Sequence, residues 1–231
     1  MNLSETAFFM QGDGSFRLRW FTPATEVDLC GHATLATAHI VWQSDLVGPD
    51  EMIKFETRSG LLTAQKKGEW IELNVPAKPV KAVPLPAGLV EALGAQPLAC
   101  LRGDTDYLLP FASEAEIKAI APDFRALGEV EARGIIVTAP ADAPGIDFVS
   151  RFFGPKVGVD EDPVTGSAHC ALAPYWAAKL DKKALVGYQA SERGGIVQVE
   201  LLPDARLALR GKAVTVFQGV LTQDGVKLAG K

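Results

Sequence analysis

The chain has 231 residues, 48% hydrophobic and 22% charged, an ordinary composition for one folded domain or two small lobes. Net charge is −5 with Lys and Arg scattered, so nothing offers the basic stripe that nucleic-acid or anionic-membrane binding needs. No apolar run approaches the roughly 18 residues that cross a bilayer, and three cysteines without a CxxC pair point to reduced thiols.

In chain order, Met1–Glu5 has neither the positive nor the apolar region of a signal peptide, which with the cysteines places the chain in the cytoplasm. Phe16–Phe21, Ile53–Glu56 and Trp70–Val75 alternate apolar and polar residues, the period of a half-buried strand. Gly88–Leu93 reads as a short surface helix. Ser113, with Glu116 three residues on, has capping-box spacing and opens a second one. Tyr107–Phe111, Ile135–Val137, Ile146–Phe152, Ile196–Leu201 and Val214–Phe217 read as strands.

Two further segments differ in kind. Gly31–Trp42 and Gly166–Ala178 are alanine-rich and almost uncharged for about three turns. A helix apolar on all sides belongs inside a fold, and Pro174 is expected to kink the second. Their surroundings match. Arg19-Trp20-Phe21-Thr22-Pro23 precedes the first and Arg151-Phe152-Phe153-Gly154-Pro155 the second; Arg58-Ser59-Gly60 follows one and Arg193-Gly194-Gly195 the other. Gly31 to Gly60 and Gly166 to Gly195 are both 29 residues. One strand–loop–helix–strand unit therefore occurs twice, predicting two α/β lobes about a pseudo-twofold axis. Lys78–Pro86, with three prolines, is the expected linker. The boundaries drawn are residues 1–82 for the first lobe and 83–213 for the second, with strands near 214–231 returning to complete the first.

Each buried helix begins at a glycine, in Cys30-Gly31-His32 and Thr165-Gly166-Ser167. A helix start offers unpaired amides and partial positive charge, and glycine lets a ligand approach them. If the axis brings the two starts together, a small carboxylate is gripped between lobes. Asp160 and Glu161 read as solvated, helix-capping carboxylates, whereas Pro163 holds Asp162 extended just ahead of the turn. His32 is read as a site residue in preference to a core histidine. Ser167 is open to two compatible readings, helix cap or substrate contact. Three histidines, poorly spaced, make no zinc site, and no metal or cofactor is expected.

The segments Met1-Asn2-Leu3-Ser4-Glu5-Thr6-Ala7-Phe8, Phe21-Thr22-Pro23, Asp28–Thr34, Glu161–His169 and Gln189–Gly195 resemble the signature segments of PhzF-like (phenazine biosynthesis-like) proteins, in order and along nearly the whole chain. The resemblance implies the diaminopimelate-epimerase-like α+β fold: two pseudo-symmetric lobes, each a mostly antiparallel, barrel-like sheet around a central helix. It further implies a cofactor-independent isomerase of a small, cyclic carboxylate, working as a homodimer. The family's proton-carrying glutamate falls on Glu5, and its substrate-contacting residues fall on Gly31, His32, Asp162, Gly166 and Ser167. A single carboxylate can take a proton from one carbon and return it to another on the same face, which near neutral pH calls for a raised pKa. Family members also carry an earlier strand and helix that this sequence lacks, so an open sheet edge is expected beside Glu5. Two rival readings stand beside this one. Related racemases use paired thiols, and Cys30 occupies one such position while Thr165 occupies the other; alternatively, the cleft binds a carboxylate without turning it over.

Overall fold

The structure, a computed structural model, describes residues 5–22 and 24–220. Its first half runs β1 (Thr6–Gln11), β2 (Phe16–Phe21), β3 (Glu26–Val27), α1 (Gly31–Gln43), β4 (Ile53–Thr57), β5 (Gly60–Lys67) and β6 (Trp70–Pro76). A middle segment follows: β7 (Lys81–Ala82), α2 (Leu89–Leu93), β8 (Leu101–Arg102), β9 (Asp106–Pro110), α3 (Glu114–Ala119) and α4 (Phe124–Gly128). The second half runs β10 (Gly134–Pro140), β11 (Phe148–Gly154), a 3-10 turn at Pro155–Val157, β12 (Val159–Glu161), α5 (Gly166–Leu180), β13 (Ala184–Gln189), β14 (Gly195–Leu202) and β15 (Arg206–Gly211).

Strand pairing makes the repeat explicit. β1 lies antiparallel to β2 as β10 does to β11; β3 pairs with β2 as β12 with β11. β4 is parallel to β2 as β13 is to β11, and antiparallel hairpins then lead to β6 and β15. The two units join where β6 meets β15 antiparallel, Pro76 facing Arg206 and Ile71 facing Gly211. The offset that carries Gly31 to Gly166 also carries Ile71 to Arg206 and Pro76 to Gly211, so this pairing maps onto itself and the pseudo-twofold axis passes through it. All strands among the described residues form one mixed sheet, continuous from β1 to β7, in an α+β fold.

The repeat extends to side chains. Arg19 on β2 makes a two-pronged bond to Glu26 on β3, at 2.9 and 2.8 Å. Arg151 on β11 does the same to Glu161 on β12, at 2.8 and 2.9 Å. Each guanidinium also lies over the phenylalanine two residues on, Phe21 or Phe153. Glu161 is thus a strand clamp and not the solvated cap expected for it. Asp160 is exposed.

The halves differ outside the repeat. On the outer face of β9–β11, helices α2–α4 bury Leu109, Val137 and Phe153 in a core of their own. The face carrying Phe8 and Met10 has no such cover among the described residues, and these side chains are 58% and 63% exposed. Among the described residues β1 is a sheet edge, as expected.

Helix α5 is buried from Ser167 to Ala173 and again at Trp176 and Ala177. It is helical across Pro174, because the carbonyl of Cys170, which the proline cannot use, accepts the Lys78 amide at 2.8 Å. Trp176 stacks on Phe148 and donates to Thr138 Oγ1. Helix α1 is only half buried and exposes Ala36 and Gln43. Its buried Thr34 and Thr37 bond back to the carbonyls of Cys30 and Ala33 at 2.6 and 2.7 Å, which lets hydroxyls enter the core. α4 was not foreseen. Val214–Phe217 forms no strand: with no ladder to join, Val214, Val216 and Phe217 stay exposed, and Thr215 rests on Gln43 and His39 of α1. The rest of the expected 214–231 return, residues 221–231, lies outside the described residues.

The starts of α1 and α5 meet at Gly31 and Gly166. A Cβ on Gly166 would lie 2.8 Å from Gly31 Cα, and one on Gly31 would lie 3.0 Å from Gly166 Cα. These are backbone contacts and cannot swing aside. Gly166→Ala is therefore expected to cost about 1–3 kcal/mol of unfolding free energy by overpacking, measured by urea titration; an unchanged midpoint would show that the starts are free to part.

His169 gives a second test. Its ring is fully buried against Phe148, with Nδ1 2.8 Å from the Thr165 carbonyl. Burial pushes its pKa down to about 4. Below the ordinary value of 6.5 the unfolded chain takes up a proton that the folded one refuses, so stability falls as pH drops from about 6.5 to about 4, by on the order of 3 kcal/mol. The stability difference between wild type and His169→Gln should narrow by that amount over this interval; a pH-independent difference would mean that His169 is charged in the fold.

Candidate functional site

The Gly31–Gly166 contact brings both helix starts to one cleft, lined also by Glu5, Cys30, His32, Arg133, Phe152, Asp162, Thr165 and Ser167. All six residues singled out in the sequence, Glu5, Gly31, His32, Asp162, Gly166 and Ser167, therefore converge. Glu5 reaches the cleft from the residue before β1. Its Oε2 lies 3.0 Å from His32 Nε2 in the first turn of α1. Burial works against a charge on His32, but Cys30, Glu5 and Asp162 around it outweigh burial and hold its pKa well above the ordinary value.

Asp162 is 5% exposed and anchored on several sides. Its amide donates to the Phe152 carbonyl at 3.1 Å, and Thr165 Oγ1 donates to its Oδ2 at 2.5 Å. Oδ1 is buried without a hydrogen-bond partner among the described residues, so it awaits a donor. Gln189, wholly buried at the end of β13, ties this turn together. Its Oε1 accepts the Thr165 amide at 2.8 Å, and its Nε2 donates to the Asp162 carbonyl at 2.6 Å and to Thr165 Oγ1 at 3.1 Å. Ser167 is not the helix cap. Thr165 holds that position, and Ser167 Oγ accepts Arg133 Nη1 at 2.9 Å.

The cleft is unlike a two-thiol site. Cys30 and Thr165 occupy equivalent positions before the two glycines, but the Thr165 hydroxyl is committed to Asp162. Burial pushes Cys170, inside α5, up to about 12, which keeps it a thiol. Cys30 Sγ lies 3.7 Å from His32 Nε2. Together with a Glu5 oxygen these groups lie within 4.8 Å of one another, a donor set that could hold a zinc-class cation. The sequence showed no such cluster because Glu5 is remote from the other two.

Arg133, Asp106 and Gln189 were not identified as site residues. Gln189 sits in a resembling segment, but nothing in its spacing marks a buried organiser. Asp106 opens β9 and Arg133 lies 27 residues on, just ahead of β10, and only the parallel pairing of those strands joins them.

Curated relatives of the chain are named as isomerases. It is 51% identical over 222 residues to an uncharacterised isomerase of Halalkalibacterium halodurans, covering 96% of this chain and 83% of that protein. It is 38% identical over 249 residues to the human phenazine biosynthesis-like domain-containing protein, covering 96% and 85%. A crystal structure of a PhzF-family phenazine biosynthesis protein from Enterococcus faecalis superposes with a TM-score of 0.85 at 40% identity, over 94% of this chain and 82% of that one. The family model described as phenazine biosynthesis-like protein matches residues 1–219. The chain belongs to this family.

Gln189→Leu keeps the volume and strips three buried bonds. It should lower unfolding free energy by about 3 kcal/mol and loosen the Asp162 turn, read by urea titration and by faster amide exchange at Thr165. Retention of wild-type protection at Thr165 would show that the turn holds itself.

Proposed function

We propose that the protein is a cofactor-independent isomerase that moves a proton between two carbons of a small carboxylate, with Glu5 as the acid/base. The observation that carries this is the Glu5–His32 pair beside the α1 start, in a cleft whose equivalent position on the other side has no acid or base. Thr6 faces Phe21 as Ile135 faces Phe153, which makes Gly134 the counterpart of Glu5. A Cβ at Gly134 would lie 2.2 Å from the Phe152 ring, so that position is closed to any side chain unless the ring moves. One base on one face suits a shift between carbons better than inversion at one carbon, which uses two.

In the step itself, Glu5 takes the proton from the substrate carbon, and the C–H electron pair spreads into the adjoining unsaturated system. The same carboxyl then returns the proton to a second carbon on that face. The His32 N–H steers the carboxylate, first-turn amides of α1 and α5 hold the substrate's charge, and Asp162 Oδ1 accepts a substrate N–H or O–H. The cavity is about 40 Å³, room for a few waters at most, so a ring-shaped substrate enters only if the units part. No helix among the described residues is long and apolar enough to cross a membrane. The free thiols of Cys30, Cys100 and Cys170 support a cytoplasmic setting. The proposal keeps the homodimer that the resemblance implies and the division into lobes near residue 82.

The test is solvent deuterium uptake. Wild type, incubated in deuterated water with a panel of small cyclic, amino and hydroxy carboxylates, should label one of them, and Glu5→Gln should slow this about 10²–10⁴-fold. Labelling that survives Glu5→Gln but is lost in Cys30→Ser would replace Glu5 by the thiol, a reading that the 3.7 Å approach of Cys30 to His32 keeps open. A carboxylate that raises the melting temperature by mass action yet takes up no deuterium would make this a binding protein.

A further inference from the structure

The counterpart of Glu5 is vacant, but the residue before it is not. Arg133 precedes Gly134 at the mouth of β10 and lines the same cleft as Glu5, whose charge it feels. Asp106, at the start of β9, holds it from behind: Nε donates to Oδ1 at 2.8 Å, and Nη2 donates to Oδ2. The Asp106 side chain is 10% exposed and does not line the cleft. The guanidinium is also stacked over Phe152, 5.3 Å from the ring centre. Its other edge points inward, with Nη1 donating to Ser167 Oγ at 2.9 Å.

A buried ion pair that merely braced β9 against β10 would need only the Asp106 bonds. The inward edge does something else. Because Ser167 Oγ accepts from Arg133, the serine's own proton is left to point elsewhere, and Ser167 stands in the first turn of α5 where backbone amides are unpaired. A guanidinium edge, a hydroxyl and a helix start thus meet in the cleft that Glu5 also lines. Arginine presents a planar fork that fits a carboxylate, and its charge persists at any working pH. Burial works against that charge, but Asp106 outweighs it.

We propose that Arg133, positioned by Asp106, is the residue that reads the substrate's carboxylate, fixing that group on the β10–α5 wall and turning the reacting carbons toward Glu5. This rests on the carboxylate-isomerase reading above and adds to it an orientation and a specificity. The substrate must be an anion at this end, and a neutral isostere of the same shape is rejected.

Benzoate and benzamide are the probes, a ring carboxylate and its uncharged isostere, with binding measured by calorimetry and melting temperature. Wild type should bind benzoate at least tenfold tighter than benzamide. Arg133→Gln should erase that preference, and Arg133→Lys should restore part of it. Since Arg133→Gln leaves Asp106 buried and unpaired, the double variant Asp106→Asn/Arg133→Gln serves as a folded control and should equally lack the preference. Asp106→Asn alone should keep the charge but loosen its aim, weakening benzoate less than Arg133→Gln does. The proposal is overturned if wild type does not distinguish the two probes, or if Arg133→Gln or the double variant still prefers benzoate as wild type does. The Glu5→Gln variant separates this result from the proton-transfer test, because benzoate binding that depends on Arg133 in that background stands whether or not Glu5 is the base.

Discussion

Everything at the cleft depends on the contact between Gly31 and Gly166. Two helices from the two halves are driven start-to-start until their backbones touch, and only residues without a Cβ permit it. Two partial positive ends in contact repel, and the surroundings answer with carboxylates: Glu5 beside one start, Asp162 beside the other, Asp106 behind Arg133. The cleft is therefore a place where charge is concentrated by backbone geometry before any substrate arrives. The β6–β15 ladder keeps the halves in register on the same axis, so the glycine contact and the sheet seam are one constraint.

On this symmetric frame, structure repeats and chemistry does not. The Arg–Glu clamps of Arg19–Glu26 and Arg151–Glu161 occur in both halves because each positions a short strand ahead of its helix. Glu5 has no such echo. Its counterpart is Gly134, closed by Phe152, with a cation beside it; the counterpart of Cys30 is Thr165, already bonded to Asp162. A pair of equivalent acids about the axis would suit inversion of a single carbon. Here the position equivalent to Glu5 carries no acid, and the Arg133 guanidinium lines the same cleft.

Much of this was legible in the residues. The repeat was readable from two alanine-rich helices set between matching strings, because buried helices tolerate so few residue types that a pattern survives. The expected strand at Val214–Phe217 failed for the converse reason: alternation shows that a segment could form a strand, but a ladder needs a neighbour, and no neighbour is written locally. Glu5, next to the chain start, carries no local mark of burial or partnership, and only the resemblance singled it out. Arg133 and Asp106 sit at strand ends among ordinary residues. Their pairing is a product of the parallel β9–β10 register, which spacing along the chain does not encode.

Gln189 shows why the hidden residues matter as much as the visible ones. Among the described residues Asp162 keeps one oxygen buried and unmatched, a state that costs stability and that an unsupported loop would relieve by turning the carboxylate to water. The Gln189 amide prevents this by binding the carbonyl of Asp162, the amide of Thr165 and the hydroxyl that holds the other carboxylate oxygen. Asp106 does the same for Arg133, fixing one edge so that the other can only face inward. In both cases a buried, hydrogen-bonded group holds in place a residue that lines the cleft. The polarity of the cleft is thus set by residues that do not line it.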